Sequence, residues 1–155
     1  MAPNSPFLLK AEQIEASAVE TSHPWNSNSQ LIWTQMARIT GMTRAIVSHA
    51  ALPPGKESFV YHSHHHEEEW VYIIAGTGLA DIDGQTYTVG PGDFMGFPTP
   101  SAAHHLRNTG DSDLVYLMGG ECLVEETADC PDLGKRKIRV GDEVSVIDLP
   151  ADPDG

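Results

Sequence analysis

The stretch Tyr61-His62-Ser63-His64-His65-His66-Glu67-Glu68-Glu69-Trp70 decides how the rest of the chain is read. Successive side chains of an extended strand point to opposite faces, so His62 and His64 share one face and His65 turns away. Two imidazoles on one face are the arrangement a metal ion needs from a single strand. A carboxylate must then come from the neighbouring strand, and three glutamates compete. Glu69 shares its parity with Val71 and Ile73 in the run that ends at Gly76. Glu67 has the same parity but lies nearer the turn, and Glu68 goes with Trp70, Tyr72 and Ile74. Both faces are apolar, so parity leaves this choice open.

A third imidazole must come from a distant strand, and Ala102-Ala103-His104-His105-Leu106-Arg107-Asn108 offers two. They are adjacent and point oppositely. Leu106 is apolar and Arg107, at the other parity, prefers solvent, which places His104 inside with Leu106 and Asn108.

Around these segments the sequence consists of short β-type runs separated by turn residues. TRAIVSHAAL is closed by Pro53-Pro54-Gly55, and EEWVYIIA by Gly76-Thr77-Gly78. LADID and QTYTV flank Asp83-Gly84, a two-residue hairpin signal. Gly90-Pro91-Gly92-Asp93 precedes FMGFP, and HHLRN, DLVYLMG, KRKIRV and EVSVIDL follow. No stretch after residue 42 carries helical periodicity. Regularly spaced short strands with Gly/Pro turns predict an all-β barrel or sandwich. Residues 1–42 read as an N-terminal arm, in which AEQIEASA is one helical turn or two and SHPWNSNSQ is loop-like. The barrel is expected over 43–149 and a tail over 150–155.

The chain has 155 residues, which predicts one domain. Lys+Arg 9 against Asp+Glu 22 give a net charge of −13, a field that repels nucleic acid and anionic membrane surfaces. The start, MAPNSPFLLKAEQIEA, lacks the pattern of a signal peptide, and no run is long enough to span a membrane. With two cysteines, Cys122 and Cys130, the expectation is a reducing cytoplasm with both thiols free.

The segment PGKESFVYHSHHHEEEWVYIIAG resembles the first motif of the cupin family, read here as His62, His64, Glu69 and Gly76. GDFMGFPTPSAAHHLRN resembles the second, read as Gly92, Pro98, His104 and Asn108. There are three departures. Six residues rather than five separate Gly55 from His62, Pro100 stands where the motif has Gly, and one extra residue precedes His104. All three precede ligand positions. The resemblance covers roughly residues 43 to 120 and implies a double-stranded β-helix, or jelly-roll barrel. It implies one divalent transition metal (Fe, Mn, Ni, Co, Cu or Zn) on His62, His64, Glu69 and His104. It also favours Glu69 over Glu68, because only Glu69 has six residues before Gly76.

The remaining candidates have plainer readings. His65 and His66 suit a solvated tip, with His66 a backup ligand. His49 suits a hydrogen-bonded barrel or interface position, and His23 and His105 the surface. Trp70, Tyr72 and Phe94 are core or pocket residues. Asn108 either makes a turn or fixes His104. Lys135, Arg136, Lys137 and Arg139 form a solvated strand face that could attract an anion, and Cys122 is buried.

Four ligands on a six-coordinate ion leave two positions for a small molecule, which points to catalysis, with Glu69 tuning the ion. Within 43–120 the basic side chains are Arg44, Lys56 and Arg107, few for a phosphosugar isomerase. The reading therefore leans to a non-haem dioxygenase, with an isomerase, epimerase or lyase and a non-catalytic binding cupin as alternatives. A homodimer is expected, because Trp25 and Trp33 in the arm have no evident place in one barrel.

Overall fold

The computed structural model describes residues 5–150. Helix α1 (Ala11–Ala16) precedes β1 (Val19–His23) and β2 (Asn26–Gln35), and one helical turn, α2 (Met36–Ile39), leads to β3 (Ala45–Leu52). Then come β4 (Ser63–His64), β5 (Glu69–Ala75), β6 (Gly78–Ile82), β7 (Gln85–Val89) and β8 (Phe94–Phe97). The chain continues with β9 (His104–Arg107), β10 (Leu114–Glu121), β11 (Glu125–Cys130), β12 (Lys135–Val140) and β13 (Glu143–Asp148). One wall has the order β1-β2-β3-β10-β5-β8. The other consists of β7-β6-β9 and β4-β11-β12-β13, joined where His62 bridges His104. This is the all-β jelly-roll barrel that the motifs imply.

Alternation builds the interior. In β5, Val71 and Ile73 are buried while Tyr72 and Ile74 are exposed, and in β3, Ser48, Ala50 and Leu52 face inward. These residues join Leu31, Ala80, Val89, Leu106, Leu114 and Tyr116 in one core between the walls. Leu31, Leu52, Ile73 and Leu114 are fully buried, and truncating any one to Ala would cost about 2–5 kcal/mol. Asp83 and Gly84 both have positive φ, as the expected two-residue hairpin requires, and Ile82 pairs with Gln85 across it. Gly76 has φ +79, and a Cβ there would lie 2.3 Å from the Asp113 carbonyl oxygen. That is a steric reason for glycine at the end of the first motif.

Two elements and two side chains differ from expectation. Asn26–Gln35, whose first residues read as loop, is a ten-residue strand that pairs with both β1 and β3. Its Asn and Ser content is overridden because Leu31 and Trp33 insert into the core. Trp33 therefore does have a place in one barrel, and its ring packs edge-on to Phe59 at 5.4 Å. Glu125–Cys130 is a further strand with little sequence signal, held by β12 on one side and β4 on the other. Phe94 and Tyr72, read as core or pocket, lie exposed on the outer face, where Phe94 stacks on Trp70. Among the described residues no helix is long and apolar enough to cross a membrane, and Cys122 and Cys130 are unbridged.

Candidate metal centre

His62 and His104 are cross-strand neighbours that exchange both backbone hydrogen bonds, His62 N to His104 O at 3.2 Å and His104 N to His62 O at 2.8 Å. Directly opposed residues share a face, so both rings enter the barrel. His64, two residues on, follows by parity. Glu69 comes from the opposite wall, where β5 places it in one row with Phe97 of β8 and Gly120 of β10. The four side chains meet between the walls.

Glu69 Oε2 lies 2.8 Å from His104 Nε2, 3.2 Å from His64 Nε2 and 3.8 Å from His62 Nε2. His62 and His64 Nε2 are 3.1 Å apart. Ligands on one ion, each roughly 2 Å from it, are separated by about these distances. The proton positions agree. His62 Nδ1 donates to Val60 O at 2.7 Å and His104 Nδ1 to Ala102 O at 2.9 Å. A carbonyl can only accept, so in each neutral ring the Nε2 lone pair points into the site, the tautomer a metal ligand needs. The donor set therefore fits a divalent transition metal.

Electrostatics point the same way. Burial pushes the Glu69 pKa up, but hydrogen bonds from His104, His62 and His64 outweigh it and hold the carboxyl well below the usual range. Burial likewise lowers His64, yet its hydrogen bond to Glu69 and the charges of Glu69, Glu126 and Glu67 leave its pKa raised. The ring of Phe97 stacks flat on His104, with centroids 3.6 Å apart. Beneath the site, Tyr116 is buried, and burial and then the charge of Glu69 keep its hydroxyl protonated.

The other candidates separate clearly. His65 faces outward and bonds Asp129 Oδ2 at 2.9 Å, and His66 is exposed. Glu68 is exposed too, while Glu67 is buried but engaged by Arg139 and the Leu123 amide. Asn108 makes a turn: its side chain bonds Leu52 O, Ser112 O and the Gly110 amide rather than His104. Cys122 is partly exposed rather than buried. His105 is half-buried, not a free surface residue, with Nδ1 at 3.5 Å from Asp81 Oδ2. His23 is also no simple surface residue, because its ring packs on Trp25 and Phe59 at 5.2 and 6.4 Å.

Sequence reasoning missed Glu126. Its carboxylate is buried and accepts the backbone N–H groups of His65 at 3.0 Å, His66 at 3.2 Å, Thr127 at 2.7 Å and Glu67. It thereby ties down the turn between His64 and Glu69. His64, Glu67 and Glu126 form a second group with metal-ligand geometry. Glu126 is committed to those amides and Glu67 to Arg139, so this group is a hydrogen-bonded brace. No sequence spacing flags Glu126, because it is distant in the chain and lies in an unread strand.

A cupin domain model matches residues 48–120. SchB of Streptomyces halstedii is 32% identical over 107 residues, covering 68% of this chain and 72% of that protein. The chain belongs to the cupin superfamily. A solved structure of a proposed sugar phosphate isomerase from Acidithiobacillus ferrooxidans is 33% identical, with 92% of each chain covered and a TM-score of 0.89. Mannose-1-phosphate guanylyltransferase of Escherichia coli is 31% identical over 96 residues, 61% of this chain but 20% of that protein's length.

Proposed function

We propose that the protein is a metal-dependent isomerase of a phosphorylated sugar, with one divalent transition-metal ion held by His62, His64, Glu69 and His104. The observation that carries the metal is the approach of three Nε2 atoms to one carboxylate oxygen, Glu69 Oε2, at 2.8–3.8 Å, with the tautomers of His62 and His104 already set. The substrate class rests on the likeness to the Acidithiobacillus protein along nearly the whole chain. The scarcity of cations that favoured an oxygenase concerned residues 43–120, whereas β12 also belongs to the barrel wall and brings further basic side chains.

When bound, the ion supplies Lewis-acid polarisation of a substrate carbonyl. Glu69 stays ionised and offsets part of the ion's charge, and the Val60 and Ala102 carbonyls hold two imidazoles in orientation. Phe97, Met95, Met118 and Val71 are hydrophobic groups of the interior that exclude water. That apolar lining also suits the second reading, a non-haem dioxygenase. A reducing cytoplasm fits the unbridged thiols, and a homodimer fits the apolar outer face around Tyr72, Ile74 and Phe94.

Oxygen separates the two chemistries. Hexose and pentose phosphates supplied to Zn-, Mn- and Fe(II)-loaded protein should be isomerised equally with and without O₂, and Glu69→Gln should lose most activity but less metal. Product formed only with Fe(II), in step with oxygen consumption, would establish the oxygenase instead.

A further inference from the structure

His105 and Arg107 alternate with His104 and Leu106 along β9, so they stand on the outside of the wall whose inner side carries His62 and His104. Tyr61 lies beside them, its ring edge-on to His105 with centroids 5.6 Å apart. Together with Trp25, Glu57 and Asp132 they line a cavity of about 410 Å³, within the range of about 300–1,000 Å³ in which small molecules bind. The cavity is separate from the metal centre, none of whose four ligands lines it.

The polar groups of this cavity are fixed by the fold but only partly used by it. Arg107 gives Nε and Nη2 to Asp81 at 2.6 and 2.9 Å, which leaves Nη1. The Tyr61 hydroxyl accepts the Gly84 amide at 2.9 Å, which leaves its O–H to donate. Glu57 Oε2 accepts Asn26 Nδ2 at 2.8 Å, which leaves Oε1. The side chain of His105, only 13% exposed, turns Nδ1 towards Asp81 at 3.5 Å and Nε2 towards Glu57 Oε1 at 4.0 Å, and makes neither hydrogen bond. Polar groups in so enclosed a place are seldom left without a partner. The gap between Nε2 and Oε1 is shorter than two hydrogen bonds of about 2.8 Å, so one hydroxyl placed between them bonds both.

Charge and geometry choose the ligand. Asp81 and Arg107 neutralise each other, which leaves Glu57 and the exposed Asp132 to repel an anion. An ammonium would satisfy the carboxylates but would give Arg107 Nη1 and the Tyr61 O–H nothing to donate to. A hydroxyl both donates and accepts. Trp25 and Tyr61 add aromatic surface for the C–H faces of the same molecule. We propose that this cavity is a second binding site, for a neutral polyhydroxylated ligand of monosaccharide size, with one hydroxyl held between His105 Nε2 and Glu57 Oε1. The site is independent of the isomerase reading, because a phosphorylated sugar is a ligand it disfavours.

Nuclear magnetic resonance on the full chain tests it. D-Glucose, D-mannose and D-galactose are titrated into metal-free protein, and at least one should shift both the Trp25 indole and the His105 ring resonances at millimolar concentration. Glucose 6-phosphate and methylammonium should shift neither. His105→Phe keeps an aromatic ring without the nitrogen, and Asp132→Ala alters only the exposed turn Pro131–Leu133. Each should weaken hexose binding by about tenfold, the loss of one hydrogen bond involving a charged group. The response of Trp25 and His105 should persist in His62→Ala. If no hexose shifts both resonances, or affinity is unchanged in either His105→Phe or Asp132→Ala, the site is overturned. A response to methylammonium or glucose 6-phosphate that exceeds the response to every hexose would overturn the polyol. Loss of the response in His62→Ala would place the sugar at the metal centre instead.

Discussion

His62 and His104 solve the same problem in the same way, each donating Nδ1–H to the carbonyl two residues before it, Val60 O and Ala102 O. His64 differs from them, because its Nδ1 is buried without a partner. The three imidazoles are therefore unequal, with two fixed by the backbone and one held by packing and by Glu69. Replacing His62 or His104 by Ala should abolish stoichiometric metal in protein purified without an affinity tag, while circular dichroism still reports a folded barrel. His65→Ala should keep full metal content, since that ring is bound to Asp129 on the outer face. Equal metal loss in His65→Ala would contradict the proposed ligand set.

At the scale of elements, the turn between β4 and β5 carries the first motif, and it is organised from β11. Four amide groups converge on the Glu126 carboxylate, and Arg139 of β12 closes the arrangement through Glu67. Glu126→Gln places an amide donor against backbone donors, so at least one N–H loses its partner in a buried place. The metal-free protein should lose about 1–3 kcal/mol in urea unfolding. Zn(II) affinity, measured by chelator competition, should fall by about 10- to 100-fold because His64 and Glu69 are displaced together. Unchanged affinity would show that the turn holds its shape without this brace.

For the whole molecule, the outer face of the six-stranded wall is the unusual surface. Tyr72 and Ile74 are each 42% exposed and Phe94 64%, and Phe94 stacks on Trp70 beside them. A cluster of this kind on an antiparallel wall is suited to burial against a second copy. Trp25 and Trp33 no longer argue for a partner, since Trp33 packs on the core and Trp25 on His23. Sedimentation should find a dimer at micromolar concentration and a monomer for Tyr72→Glu, and a monomeric parent protein would remove the proposal.

The sequence by itself determined those features that depend on strand periodicity and local turn chemistry. Period-two alternation is enough to put His62 with His64 and to choose His104 over His105, and Asp83-Gly84 is enough to make a hairpin, because these are properties of neighbouring residues. Parity could not choose among the glutamates. Glu67 and Glu69 both face inward, and the difference is that Arg139, 72 residues from Glu67 in the chain, takes that one. The strand character of Asn26–Gln35 and Glu125–Cys130 was likewise decided by partners, since β3 and β12 present the hydrogen-bonding edges that those polar runs complete. Glu126 under the turn also follows from register between strands far apart in the chain. A sequence encodes which way a side chain faces along its own strand; which side chains it meets across the barrel is settled only when the sheets close.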